Sequence, residues 1–161
     1  MVADVVDPDF AVVAVREDGG WRLEKLTPRA WSSLDGLEEV LQSWAVDGVA
    51  IGLLGVLDEY LLIARREANH SRLMLNDVAS TTEWPLAMDV LDRLSLPEPD
   101  EDDLERVQPV GDLQVFADLG FAADEFGSIC EDLDLFNDEL AEQVAERLGF
   151  SAEWERIVED Q

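Results

Sequence analysis

Short apolar and β-branched runs separated by turn residues dominate the first part of the chain and predict a sheet. The first two runs are joined by Asp18, Gly19 and Gly20, which is typical of a tight β-hairpin. The later runs are more apolar and predict buried strands of the same sheet. The five predicted strands cover residues 10–17, 21–26, 48–57, 59–67 and 71–77.

Apolar residues at spacings of three and four predict an amphipathic helix between the second and third strands. The stripe consists of Leu34, Leu37, Leu41 and Trp44. Ser32 or Ser33 can cap its start, and Gly36 weakens it slightly. A second helix is expected at 80–94, beginning near Ser80 to Glu83, with Pro85 in its first turn.

The remaining third of the chain changes character. Two prolines and a run of acidic residues oppose both helix and strand at 95–105, and short helical patterns follow. The predicted fold is therefore α+β, an antiparallel-rich sheet with two helices followed by a small all-helical C-terminal unit. We expect an α+β domain at 9–94, an acidic Pro-containing linker at 95–109 and a helical domain at 110–160.

The tripeptide Leu-Gly-Phe occurs twice in the helical part, each time before an acidic helix start. Gly120 and Gly149 are predicted to end helices in the left-handed conformation, and Phe121 and Phe150 to be buried. We also expect a C-terminal core of Phe116, Phe121, Leu135, Leu140 and Val144.

Charge limits the class of partner. The 161 residues include 38 acidic and 11 basic ones, a formal net charge of -27, and residues 97–161 hold 21 acidic against 3 basic residues. Phosphate binding needs clustered Lys and Arg, so direct binding of nucleic acid is not expected. An acidic surface either keeps a protein soluble by self-repulsion or attracts a basic partner.

Few side chains are suited to catalysis. The chain has one cysteine and one histidine, which excludes a multi-cysteine zinc site and an internal disulfide. Cys130 lies beside two carboxylates and is predicted to be a core residue, and His70 to lie on a loop. The acidic runs lack the turning glycine of a calcium loop. We predict no catalytic residue, no cofactor and no metal.

Two acidic groups and one terminal helix are the candidates for partner binding. Each candidate also has a purely structural interpretation. In that interpretation the acids only form a linker and cap helices, and the tryptophan packs into the chain's own core. The only local concentration of basic residues, Arg65, Arg66 and Arg72, is a further candidate. The predicted partner-binding residues are Glu98, Asp100, Glu101, Asp102, Asp103, Glu131, Asp132, Asp134 and Trp154.

A different class of function stays open at this stage. A small-ligand sensor or enzyme would need a pocket between the sheet and its helices, which Tyr60, Arg65 and Trp84 are candidates to line.

The order of the segments resembles a known family. The opening FAVVAV and GGW, then DGLEEVL, EYLLIARRE and LNDVAST, are followed after the linker by a GDL…ADLG…AERLGF framework at 111–150. Over almost the whole chain this is similar to the tRNA adenosine deaminase-associated proteins of actinobacteria. Asn137 stands where many relatives are expected to have a helix-starting proline, and it is predicted to cap the helix that follows.

The resemblance implies a link to a tRNA deaminase and brings no catalytic residues with it. A zinc-dependent deaminase needs a His or Cys and two further cysteines around its metal, which one histidine and one cysteine cannot supply. We therefore predict a non-enzymatic accessory or regulatory protein that docks on a basic partner such as a tRNA adenosine deaminase. The acidic N-terminus and the lack of a long apolar run predict a cytoplasmic protein without membrane contact.

Overall fold

The sheet has six strands, all antiparallel, in the order β2-β1-β3-β4-β5-β6. The strands are β1 (Phe10–Glu17), β2 (Gly20–Lys25), β3 (Val49–Val56), β4 (Tyr60–Glu67), β5 (His70–Leu75) and β6 (Val110–Gly111). The predicted α+β class is confirmed, as is the β1–β2 hairpin, although Asp18 lies outside the described residues. The computed structural model describes residues 8–17, 19–45, 48–57, 59–67, 70–105, 107–132 and 134–159.

Three helices cover one face of the sheet: α1 (Arg29–Ser32), α2 (Leu34–Trp44) and α3 (Pro85–Arg93). Ser33 caps α2, because its hydroxyl oxygen accepts a hydrogen bond from the Gly36 amide at 2.9 Å. Gly36, which was expected to weaken α2, allows close packing, because a Cβ at this position would overlap the Arg29 carbonyl oxygen. The second predicted helix starts later than expected, at Pro85, behind a 3₁₀ segment at Val78–Thr82.

Three further helices cover the other face: α4 (Ala123–Cys130), α5 (Asn137–Leu148) and α6 (Ser151–Glu159). Their apolar side chains share one core with β1, β3, β4 and β5. Phe116, Phe121, Leu140 and Val144 belong to this core as predicted, whereas Leu135 is only half-buried. The division of the chain at 95–109 stays a prediction, and the core on this face contains residues from both sides of it.

Both Leu-Gly-Phe corners are confirmed. Gly120 has φ +103° and Gly149 φ +97°, and the rings of Phe121 and Phe150 are fully buried. The first corner ends a 3₁₀ segment, Ala117–Leu119, and not an α-helix; the second ends α5. Each corner turns the chain so that the following phenylalanine enters the core under the next helix.

Replacing Gly149 with alanine is expected to lower the free energy of unfolding by about 1 kcal/mol, because an L-residue is strained at positive φ. No atom lies within 4 Å of the added Cβ, so the cost reports backbone conformation alone. Gly20→Ala is the matched control, since Gly20 also has open space around it but no positive φ. Urea unfolding of both variants checks this, and equal stabilities would contradict it.

Asn137 differs from its predicted role as an N-cap. It is the first residue of α5, and its side-chain amide donates to the Tyr60 carbonyl oxygen at 2.8 Å. Asn76 donates to the Asn137 side-chain oxygen at 3.4 Å and accepts from the Leu61 amide at 2.6 Å. This buried polar chain fixes the start of α5 against the start of β4.

Candidate functional site

The topology brings both predicted acidic groups to one end of the sheet. At this end β1 starts beside the end of β3, β4 starts, and β5 stops. The linker reaches it because the Val78 amide donates to the Gln108 carbonyl at 2.8 Å, and the turn before α5 reaches it through Asn137. We call it the acidic end: Asp9, Glu59, residues 98–105, residues 131 and 132, and residues 134–139.

The linker acids are held in a defined loop. The Asp100 amide donates to the Asp103 carboxylate at 3.0 Å, and the Asp103 amide donates to the Asp100 carboxylate at 2.9 Å. The Gln108 side chain donates to the Asp103 carbonyl at 2.9 Å. Asp100 and Asp103 therefore shape the loop, while Glu98, Glu101 and Asp102 project into solvent.

The second acidic group lies in the turn between α4 and α5. Glu131, Asp132 and Asp134 are exposed, and the Asp132 carboxylate accepts from the Asp134 amide at 2.9 Å. Among the described residues, neither acidic group has an ion pair with a Lys or Arg. The acidic end thus carries a concentrated negative charge.

The predicted concentration of basic residues lies at the opposite end of the sheet and is split between its two faces. Arg65 and Arg72 are cross-strand partners on the α4–α6 face, and Arg66 points to the other face. Arg72 is paired with Asp112 at 3.7 Å. These arginines do not form a joint basic surface.

Arg65 is the most buried charged side chain in the described structure, at 2% exposure. Its two terminal nitrogens bind both carboxylate oxygens of Asp118 at 2.6 and 2.8 Å, one oxygen of Glu67 at 2.6 Å, and the Val115 carbonyl at 2.7 Å. The hydrogen bond from Arg65 holds the pKa of Asp118 below its usual range. This network ties the segment after β6 to the sheet.

The residues named for a ligand pocket do not meet. The Tyr60 and Trp84 rings lie 6.1 Å apart on the α2–α3 face, whereas Arg65 lies on the opposite face among carboxylates. Burial raises the pKa of Tyr60 to about 12, which fits a core residue. These three side chains therefore cannot line one pocket, and the expectation that they do is wrong.

A groove of about 470 Å³ with both apolar and acidic residues in its lining opens at the acidic end, and the sequence did not indicate it. Its apolar lining is Phe10, Phe136, Trp154 and Val158, and its rim carries Asp9, Asp138 and Glu142. Trp154 is 1% exposed and meets Phe10 edge-to-face at 5.2 Å. Trp154 therefore lies in the core, which is the structural alternative to its predicted role in partner binding. It closes the floor of the groove and exposes almost no surface to a partner.

Phe136 stands at the N-cap of α5, a position that favours Ser, Thr, Asp or Asn. Half of a capping box is in place, because the Phe136 amide donates to the Glu139 carboxylate at 3.2 Å. The aromatic ring supplies no acceptor in return and is 61% exposed. An aromatic residue three positions before a glutamate at a helix start is the signal in the sequence that could have revealed this position.

Phe136→Ser is expected to be more stable than Phe136→Ala by about 1 kcal/mol, because serine completes the capping box with Glu139. Both variants lose the same ring, so the difference isolates the cap. Urea unfolding measures it. Identical stabilities would show that Phe136 does not occupy a true N-cap.

The acids of this protein predict an unusual pH profile. Burial raises the pKa of Asp77, Asp89 and Glu142, and neighbouring carboxylates add to the rise at Asp89 and Glu142. The folded state holds these protons more tightly than the unfolded state, so stability should increase as the pH falls from 7 towards about 4. Asp118 acts oppositely, and its contribution is lost as the pH falls further, through its lowered pKa.

Urea unfolding at a series of pH values tests this profile. We expect a stability maximum below pH 6 and a loss below about pH 4 that is reduced in Asp118→Asn. Stability that declines steadily from pH 7 downward would contradict the assignment.

The side chains capable of nucleophilic or metal chemistry are dispersed. Cys130 is buried, which together with Glu131 raises its pKa to about 12, and the exposed His70 contacts Glu67 at 3.4 Å. Within the described ranges, no group of three or more His, Cys, Asp or Glu side chains is placed to hold a metal ion. In that same part of the chain no helix is long and apolar enough to cross a membrane.

Comparison with known proteins decides the family. The family model described as Rv3753c-like tRNA adenosine deaminase-associated protein matches residues 9–151. The chain belongs to this family. The match to the Rv3753c-like family includes all six strands and α1 to α5.

A curated relative and the solved structures complete the comparison. The chain is 35% identical over 155 residues to Protein Rv3753c of Mycobacterium tuberculosis (strain ATCC 25618 / H37Rv), covering 94% of this chain and 89% of that protein. No solved structure matches. The resemblance stated from the sequence is thus confirmed.

Proposed function

We propose that this member of the Rv3753c-like family is a non-enzymatic cytoplasmic accessory protein that docks on a basic surface of a tRNA adenosine deaminase. The family name supports the choice of partner. The observation that carries the docking is the acidic end, where two loops from distant parts of the chain present exposed carboxylates at the same end of the sheet.

The charges at the two ends of the sheet explain why the acidic end, and not the opposite end, would face the partner. Arg65 and Arg72 at one end are already paired within the chain, while the carboxylates at the acidic end have no described cationic partner. An enzyme that acts on tRNA needs Lys and Arg side chains against the phosphates. A fixed set of carboxylates is complementary to such a surface, and it speeds association and orients the partner.

Docking on that surface would compete with tRNA phosphates or hold the enzyme between substrates. A non-catalytic role fits the side chains, because the buried thiol of Cys130 and the exposed His70 are not placed to act together. The chain would influence the reaction only through the enzyme that it binds.

Charge-neutralised variants test the docking surface. Glu98→Gln, Glu101→Gln and Asp102→Asn together remove three charges and leave Asp100 and Asp103 to hold the loop. Exposed ion pairs contribute about 0.2–1 kcal/mol each, so we expect about tenfold weaker binding to the deaminase from the same organism at low salt. Isothermal titration calorimetry measures it.

The matched control removes three exposed charges elsewhere, by Glu24→Gln, Asp124→Asn and Glu146→Gln. It has the same net charge as the first variant and should bind nearly as tightly as the wild type. Equal weakening of both variants would show that net charge alone attracts the partner, and would contradict a docking surface at the acidic end.

A further inference from the structure

The groove at the acidic end combines an exposed aromatic ring, walls formed by core residues and an acidic rim. Single exposed apolar side chains are ordinary, and Leu57, Met88, Leu96 and Leu104 are examples here at 39–47% exposure. Phe136 is more exposed, at 61%, and its ring lines a groove whose other apolar walls are core residues. A ligand's apolar side chain would therefore contact the exposed ring of Phe136 and the apolar wall of the groove beside it.

The rim of the groove specifies the charge of its occupant. Asp9, Asp138 and Glu142 stand around the apolar walls. Glu139 and Glu155 are close enough to Glu142 to add to its negative surroundings. A cation beside this rim would gain attraction from several carboxylates at once, whereas an anion would be repelled.

The negative charge of the rim excludes two simpler ligands of the groove. A second copy of this chain carries a net charge of -27 and would place one acidic rim against another. A nucleic acid strand would set its phosphates against the same carboxylates. What remains is a segment with positive charges around a large apolar side chain.

We propose that the Phe136 groove binds a short Lys/Arg-rich protein segment by enclosing one large apolar side chain of that segment. The carboxylates of the rim hold the flanking cations, and the apolar walls supply the specificity that exposed charges alone lack. This proposal deepens the proposed function and rests on it, because the basic character of the partner is taken from there. The groove volume lies in the range of small-ligand sites, which is enough for one or two side chains.

The placement of Phe136 supports a binding role over a structural one. Serine at this position would complete the capping box with Glu139, so the helix start gains nothing specific from an aromatic ring. A position that departs from the local rule, beside an apolar groove, is a candidate for function.

Synthetic peptides test the proposal on the full chain. The probe is a peptide with two leucines among six lysines, compared with one that has serines for leucines and one that has glutamates for lysines. We expect the first peptide to bind at least tenfold more tightly than either of the others. It should shift the amide NMR signals of Phe136, Asp138 and Glu142 in the ¹⁵N-labelled protein.

Two variants decide which surface is used. Phe136→Ser should reduce the affinity for the leucine peptide to that of the serine peptide while the protein stays folded, as its thermal unfolding will show. Met88→Ser removes an exposed apolar side chain on the other layer and should leave the affinity unchanged. Unchanged affinity in Phe136→Ser, or shifts confined to residues 98–105, would overturn the proposal.

Other occupants give distinct outcomes. Self-association of the wild type that is lost in Phe136→Ser would identify a second copy, and peptide binding that appears only after removal of residues 2–6 would identify the chain's own N-terminus. Either result would overturn the proposal.

The deaminase itself separates this proposal from the proposed function. If the deaminase binds neither the wild type nor Phe136→Ser, while the leucine peptide binds the wild type, the proposed partner is refuted and the peptide-binding groove stands. If the deaminase binds the wild type and Phe136→Ser equally, the groove proposal is refuted and the proposed partner stands.

Discussion

Removing both carboxylates from Arg65, by Asp118→Ala with Glu67→Ala, is expected to lower the free energy of unfolding by about 3–5 kcal/mol. The guanidinium group would stay buried at 2% exposure with the Val115 carbonyl as its remaining described partner. A buried charge without a counter-charge is among the most destabilising changes that a single site can undergo.

Removing the arginine should cost less than removing its partners. In Arg65→Met the apolar stem is kept, and the Asp118 side chain, 59% exposed, is hydrated instead. The loss should be about 1–2 kcal/mol, mainly from the unpaired Val115 carbonyl. Glu125→Ala, which breaks the exposed pair with Arg147, is the control and should cost below about 1 kcal/mol. Urea unfolding measures all three, and a larger loss in Arg65→Met than in the double variant would contradict the order.

Trp154→Ala should also cost about 3–5 kcal/mol, because it empties a buried position beside Phe10. Since the core on this face contains residues from β1 and from α4 to α6, we expect one cooperative unfolding transition that shifts as a whole. Trp44→Ala, which removes a half-buried tryptophan on the other face, should cost less.

Calorimetry of Trp154→Ala also tests the predicted domain division. Two transitions, of which only one responds to the change, would show that residues 110–160 unfold independently of the sheet. A single shifted transition would show that the two predicted domains share their stability.

Local patterns in the sequence were sufficient for the elements that local chemistry determines. The β1–β2 hairpin follows from the glycines of its turn, α2 from its apolar stripe and Ser33, and the two corners from Gly120 and Gly149. In each case the signal and the structure lie within a few residues of each other, so one sequence contains the information.

The features that the sequence did not predict depend on distant partners. Arg65 meets Asp118 across 53 residues, and Asn137 meets Tyr60 across 77. β6 has two residues, too few to show an alternating pattern, and becomes a strand only because β5 lies beside it.

The candidate site illustrates the same division. The two acidic groups were visible as charge runs, but their meeting at one end of the sheet depends on the Val78–Gln108 hydrogen bond and on the docking of α5. The groove at Phe136 needs α6 to pack Trp154 on Phe10, which no local pattern encodes.

The central claim, docking on the deaminase, is tested most directly by titrating the wild-type protein into the tRNA adenosine deaminase of the same organism at about 0.05 M and about 0.5 M salt. Exposed charges are screened over about 10 Å at 0.1 M salt and less at higher salt, so we predict a complex at low salt that weakens strongly at high salt. Added tRNA should compete with it. The absence of a complex at low salt, or an affinity that neither salt nor tRNA changes, would contradict the proposed function.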